Sequence, residues 1–195
     1  MHRRSTARLG AVSLALTLVS CGGGGDRQAQ QAESNNNQMQ TPQASGGTAT
    51  TIHLVVAGGP HAGTYDAKSD NLTCTYGIAG PGSWGNQYSV TGKSPKEFSS
   101  LQLIVPNAKG AASGSNKFLL TAGFGDMLKP GYVEHTINTG LGITGEADAS
   151  KKEGSGTVTV EDKGKSGKVT FKGKTKDNVS LEGTIDCHQL MRGEG

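Results

Sequence analysis

The sequence predicts an all-β domain, an antiparallel sandwich ahead of a closed barrel, and three observations carry that expectation. The chain ends in GTVTVED, KVTFKG and VSLEGTIDC, where apolar and polar residues alternate with period two, joined by the short polar loops KGKSG and KTKDN. Thirty-one glycines punctuate the 195 residues, and glycine is a poor helix former wherever it falls. Apart from a start signal at Ser94-Pro95-Lys96-Glu97, which allows a short helical turn, no segment sustains a helical period.

The first twenty residues are of another kind. Arg3, Arg4 and Arg8 make a positive head, and Leu9 to Val19 is an eleven-residue, mostly apolar run. That run is shorter than the roughly 20 residues a membrane-spanning helix needs, so residues 1–20 read as a secretory leader. Ser5-Thr6-Ala7-Arg8 lacks the bulky apolar residues expected after a twin-arginine pair, which favours the general secretory route.

Leu18-Val19-Ser20-Cys21 closes the leader and resembles the lipobox of bacterial lipoproteins. The resemblance implies that Cys21 receives a diacylglycerol thioether, that the leader is cut off before it, and that the new amino terminus is acylated. Two or more chains hold a protein on a bilayer where one gives only marginal binding. By the same resemblance the protein is exported and lipid-anchored to the cell membrane. Gly22, not Asp, at the next position favours the outer membrane where a bacterium has two.

Residues 22–49 follow Cys21 with four glycines and then glutamines and asparagines, without an aromatic or a run of branched aliphatics. Such a segment cannot bury enough apolar surface to offset the entropy of ordering. It is expected to be a flexible tether reaching about 30 Å. The full chain carries +3, and the leader holds three arginines and no acid. Its removal leaves a neutral chain with no electrostatic reason to bind nucleic acid.

Residues 50–195 form the predicted domain. Thr51–Ala57 is a branched apolar run ended by Gly58-Gly59-Pro60, and Asn71–Ile78, Trp84–Val90 and Ser99–Val105 alternate. Asn116–Phe124 and Tyr132–Thr139 precede the closing meander. With Cys21 lipidated, Cys74 and Cys187 remain, and an odd count in an exported chain resolves into one pair. Cys74 alternates with Leu72, Tyr76 and Ile78, and Cys187 with Val179, Leu181 and Ile185. Both sulfurs therefore sit on apolar faces suited to a disulfide, with metal ligation the weaker alternative. Its long loop is worth about 4–5 kcal/mol in the chain-entropy model.

Several motifs invite sharper readings. Gly140-Leu-Gly-Ile-Thr-Gly145 matches the dinucleotide fingerprint in letters, but the EADASKKEGSG that follows is too short and glycine-bounded to be the required helix. Gly58-Gly-Pro-His-Ala-Gly63 could wrap an anion, but lacks the Lys-Ser/Thr of a phosphate loop and reads as a hairpin turn. His53, His61, His135 and His188 are dispersed without metal-site spacing, although His53 and His135 lie on predicted strands and could meet. Asp66, Asp70 and Asn71 supply oxygens without the calcium-loop spacing. No serine occupies G-x-S-x-G. No metal and no cofactor are expected.

Two faces remain as candidates for binding. Lys168, Lys172 and Lys174 share the face opposite Val169 and Phe171, as a solvated strand face would, or as a dock for anionic glycan or lipid headgroups. Trp84, Asn86 and Tyr88 share one parity, either as core or as a carbohydrate- or peptide-binding strip. The reading that best fits is a membrane-anchored envelope lipoprotein with a non-enzymatic binding or structural domain. Its partners are membrane lipid through Cys21 and a protein, glycan or hydrophobic ligand. A carrier with an apolar cavity and an enzyme built on dispersed His and Asp residues are the alternatives.

Overall fold

The computed structural model describes residues 49–71, 74–112, 117–142 and 145–192. The leader, Cys21, nearly all of the expected tether and Leu72 lie outside the described residues. The strands are β1 Thr50–Ala57, β2 Gly63–Ser69, β3 Cys74–Tyr76, β4 Trp84–Ser89, β5 Phe98–Val105, β6 Leu119–Phe124, β7 Val133–Asn138, β8 Ser155–Asp162, β9 Gly167–Lys174, β10 Ser180–Cys187 and β11 Leu190–Arg192. Among the described residues they form two open sheets, β2-β1-β10-β9-β8 and β11-β3-β4-β5-β6-β7. The architecture is an all-β sandwich without a closed barrel. Every pairing is antiparallel except that of β11 with β3.

Alternation becomes layering. Ile52, Leu54 and Val56 of β1 point inward with Val169 and Phe171 of β9 and Leu181 and Ile185 of β10. They meet Trp84, Leu101, Leu103, Leu120 and Phe124 from the other sheet. Phe118, in the connection before β6, is fully buried in the same core. At the centre, Gly183 pairs with Phe171 across β10 and β9. A Cβ on Gly183 would fall onto the His53 carbonyl oxygen and lie 2.8 Å from Phe171 Cζ, so the ring lies over bare backbone.

Cys74 and Cys187 are bonded, with Cα atoms 6.1 Å apart and a separation of 113 positions in sequence. The bond ties β3 of one sheet to β10 of the other, and both residues are buried. Ile78 does not share that face. It is 44 % exposed and packs over Gly85 on the outside of its sheet, because the chain turns at Gly77, where φ is +91°.

Other departures are local. Ser94–Glu97 closes as one turn, with Glu97 N–H donating to Ser94 O and Ser94 N–H to Glu97 Oε2, without becoming a helix. A four-residue helix α1, Ala108–Ala111, capped by the Asn107 side chain, sits instead between β5 and β6. The turn at residues 58–63 leads, as the hairpin reading requires, into the polar edge strand β2, whereas the short β11 was not expected.

The two ends of the sandwich differ. At one, Ala49 leads into β1, and Thr50 Oγ1 lies 3.8 Å from Cys74 Sγ. At the other, the turns after β1, β4, β6 and β9 meet. His61 stacks on Phe124, Gly125 N–H donates to Glu97 O, and Asp126 accepts from Gly92 N–H.

Candidate binding face

The strip of Trp84, Asn86 and Tyr88 is interior. Trp84 is fully buried, and Asn86 is almost so, its Nδ2 donating to Cys74 Sγ. Tyr88 stacks on Phe98 at 5.6 Å within a cluster that includes Phe124 and Tyr65, and burial raises its phenol pKa. As a candidate binding face this strip is corrected: it packs against the opposite sheet. Solvent meets the other parity of β4, namely Gln87 and Ser89.

Register shows what each sheet presents outward. On the five-stranded sheet, rungs crossing β2-β1-β10-β9-β8 read Thr64-Val55-Glu182-Lys172-Thr157, Asp66-His53-Thr184-Thr170-Thr159 and Lys68-Thr51-Asp186-Lys168-Glu161. Complementary side chains stand next to one another, two of the three pairs being of opposite charge. Lys172 Nζ lies 2.9 Å from Glu182, Lys168 lies 3.7 Å from Asp186, and His53 Nδ1 lies 2.7 Å from Asp66. The hollow of about 340 Å³ over β1 and β2 is lined in part by His53, Asp66 and Asp186. Two lysines of the expected face, Lys168 and Lys172, are thus paired with acids, while Lys174 stands in register between Ser155 and Ser180, which weakens the case for docking anionic headgroups.

The six-stranded sheet presents another chemistry. Across β4-β5-β6-β7 its rungs read Gly85-Ile104-Leu119-Asn138, Gln87-Gln102-Thr121-Thr136 and Ser89-Ser100-Gly123-Glu134. Glu134 is the one charged side chain among these twelve positions. Tyr132, just before β7, brings the hydroxyl end of its ring over Gly123: a Cβ there would meet both the Tyr132 hydroxyl and Ser100 Oγ. Ser100 Oγ lies 3.0 Å from that hydroxyl, which donates to Glu134 Oε1 at 2.9 Å. Burial is the first cause of the raised Tyr132 pKa, and Glu134 adds to it. The ring is anchored through its hydroxyl by Ser100 and Glu134.

These groups border a shallow hollow of about 110 Å³, lined by Gln87, Ser89, Gln102, Thr121, Met127 and Tyr132 among others. Met127 overhangs it, with its sulfur 4.0 Å from Ser89 Oγ. The turn that carries Met127 is fixed by Asp126, whose carboxylate accepts from Gly92 and Leu128 N–H groups and pairs with Lys129. The Leu128 N–H bond leads the causes that hold the Asp126 carboxyl below its ordinary pKa.

Of the histidines, the structure brings together His61 and His135, not His53 and His135. His61 Nδ1 and His135 Nε2 are 3.0 Å apart, and both rings are buried. His135 is held below its ordinary pKa by burial and then by His61, with Asp177 opposing. Beside it a cleft of about 250 Å³ is lined by Glu134, Glu153, Thr175, Lys176 and Asp177. His188 is exposed and Asp66 is engaged by His53. Among the described residues no group of three or more His, Cys, Asp or Glu side chains could hold a metal ion. Residues 140–142 and 145 of the glycine motif lie in a connection, with Leu141 bridged to Ala147.

Sequence reasoning missed the Gln87–Thr136 rung and the His61–His135 contact because both depend on pairings between distant segments. The chain matches no protein-family model, no curated protein and no solved structure.

Proposed function

We propose that the protein is a lipid-anchored envelope protein whose sandwich is a non-enzymatic binding domain, with the outer face of the six-stranded sheet as its binding surface. The observation that carries this reading is the unequal chemistry of the two outer faces: one neutralises its own charges, while the other offers uncharged hydrogen-bonding groups around a fixed tyrosine. The Cys21 lipobox supplies the anchor. The hollow beside Tyr132 lies on the half of its sheet remote from Ala49, where the chain from the anchor would arrive.

Filled packing between the sheets, by Trp84, Phe118, Phe124 and Phe171, favours display over carriage of a ligand inside the domain. The cleft beside His135 is the feature that favours an enzyme. The two rings there are committed to one another, which favours a structural role.

Two experiments test the reading. Cys21→Ala should leave unprocessed precursor or release soluble protein, read by fractionation; normal cleavage with full membrane retention would remove the anchor. The mature protein, solubilised in a detergent without a sugar headgroup, should adsorb to delipidated envelope material. Gln87→Arg with Gln102→Arg should abolish that adsorption, and Thr157→Arg with Thr170→Arg on the other sheet should not. Equal behaviour of the two pairs would defeat the assignment of the face.

A further inference from the structure

We infer that the hollow beside Tyr132 binds a neutral saccharide chain, an inference that rests on the binding-face reading above. The ligand class follows from the side chains that meet there. Gln87 and Gln102 are planar amides, each able to donate and accept, and Thr121 and Ser89 add hydroxyls. Vicinal sugar hydroxyls need such paired donors and acceptors. Glu134 provides a carboxylate, the strongest acceptor available for a hydroxyl pair. Tyr132 presents an aromatic surface to the C–H face of a pyranose ring, laid down on Gly123 and tied by Ser100 and Glu134. Because these two hydrogen bonds exist already, little rotamer entropy is lost on binding.

Competing ligands fit less well. An acidic glycan, a phosphate or a nucleic acid would meet Glu134 and no cation among the twelve rung positions. An apolar chain would have to desolvate two glutamines and several hydroxyls, which is costly without partners. An extended peptide adds most readily along a sheet edge, where backbone groups are unpaired, whereas Gln87, Gln102 and Thr121 belong to strands paired on both sides. A hollow of about 110 Å³ takes one face of a sugar ring. The rest of a chain would run along the Gln87-Gln102-Thr121-Thr136 rung, where Thr121 and Thr136 hydroxyls sit 3.3 Å apart.

The test is calorimetric titration of the mature protein, in a detergent without a sugar headgroup. The probes are glucose hexamers in β-1,4, β-1,3 and α-1,4 linkage and an N-acetylglucosamine hexamer, with octagalacturonate as the acidic control. At least one neutral hexamer should bind with Kd on the order of 0.01–1 mM, and octagalacturonate should not. Tyr132→Ala and Glu134→Gln should each weaken binding by about tenfold, equivalent to ~1.4 kcal/mol. Gly123→Ala should do the same by lifting the tyrosine ring, and Lys172→Ala should change nothing. Circular dichroism checks each fold; should Tyr132→Ala fail to fold, Tyr132→Phe, which keeps the ring and loses its two hydrogen bonds, takes its place.

Absence of heat with every neutral hexamer at about 5 mM, or binding indifferent to Tyr132 and Gly123, would overturn the inference. So would a stable dimer by sedimentation whose formation Gln87→Arg abolishes, since a second copy would then own the face. If envelope adsorption depends on this face but no neutral hexamer competes, the saccharide is wrong and the binding face stands. If adsorption does not depend on the face, both fall.

Discussion

The outer faces of the two sheets are built on the same strand geometry and carry opposite chemistry. On the five-stranded sheet, seven of the fifteen rung positions are Lys, Asp or Glu, arranged so that charges of unlike sign adjoin. On the six-stranded sheet one of twelve is charged. A face of alternating charges keeps its hydration and contributes little to stability, since exposed ion pairs are worth about 0–1 kcal/mol. An uncharged polar face is easier to desolvate when a partner replaces water with matched hydrogen bonds. The difference teaches that one strand geometry carries a self-paired charged face on one sheet and a sparsely charged polar face on the other.

Each sheet also carries an aromatic ring laid over a glycine, and the two sites serve different ends. Phe171 over Gly183 is fully internal and fills the core. Tyr132 over Gly123 is on the solvent side, where packing alone gives no reason to fix a ring.

The largest expected effect tests the inside against the outside of β4. Trp84→Ala should destabilise by roughly 3–5 kcal/mol, and Gln87→Ala, three residues along on the opposite face, by less than about 0.5 kcal/mol. Denaturant midpoints measure both, and equal costs would break the assignment of faces. Trp84 Nε1 is buried with no hydrogen-bond partner among the described residues, which adds a refinement: Trp84→Phe should cost less than its volume loss suggests, because it removes that buried donor.

The glycine pair sharpens the contrast next. In Gly183→Ala the new methyl meets the His53 carbonyl, a backbone atom that cannot step aside, so the fold should lose about 1–3 kcal/mol. In Gly123→Ala the obstacles are the ends of two side chains, Ser100 and Tyr132, and thermal stability should fall by less. Reversed costs would mean that Tyr132 is a packing residue.

A smaller effect concerns His135. Its folded pKa lies below the ordinary 6.5, so an unfolded chain takes up this proton before the folded one does. Stability is therefore unaffected above that range, and it falls as pH drops through 6.5 toward the folded value. His135→Gln should flatten the dependence of the denaturant midpoint on pH between about 7 and 5. An unaltered slope would show that His135 does not titrate with folding.

The smallest effect belongs to the charged face. Removal of the Lys172–Glu182 pair by Lys172→Ala should cost no more than ~1 kcal/mol and lose its effect at high salt. A large, salt-insensitive loss would show that this face is more than a solvated surface.

Much of this fold is legible in the chain. GTVTVED, KVTFKG and VSLEGTIDC state β8, β9 and β10 within a residue or two, because one face of each is apolar and the other polar. Cys74 and Cys187 are legible for the same reason, each on an inward parity. TYDAKS conceals β2, because an edge strand with little apolar content has no strong alternation to show. WGNQYS hides its orientation: Trp84 shares its parity with Asn86, and glycine, glutamine and serine hold the other.

Composition and local pattern thus determined what each segment could become: strands from period two, and an inward place for Cys74 and Cys187 from their parity. These are properties of neighbours in sequence, set by backbone geometry and by the cost of burying polar groups. Only the tertiary structure decided that Trp84, Asn86 and Tyr88 face inward and that Gln87, Gln102, Thr121 and Thr136 align. It also joined His61 to His135 across 74 residues. The reason is register. A shift of one residue turns every side chain of a strand to the opposite face, and that register is fixed by packing between sheets, which no single segment contains.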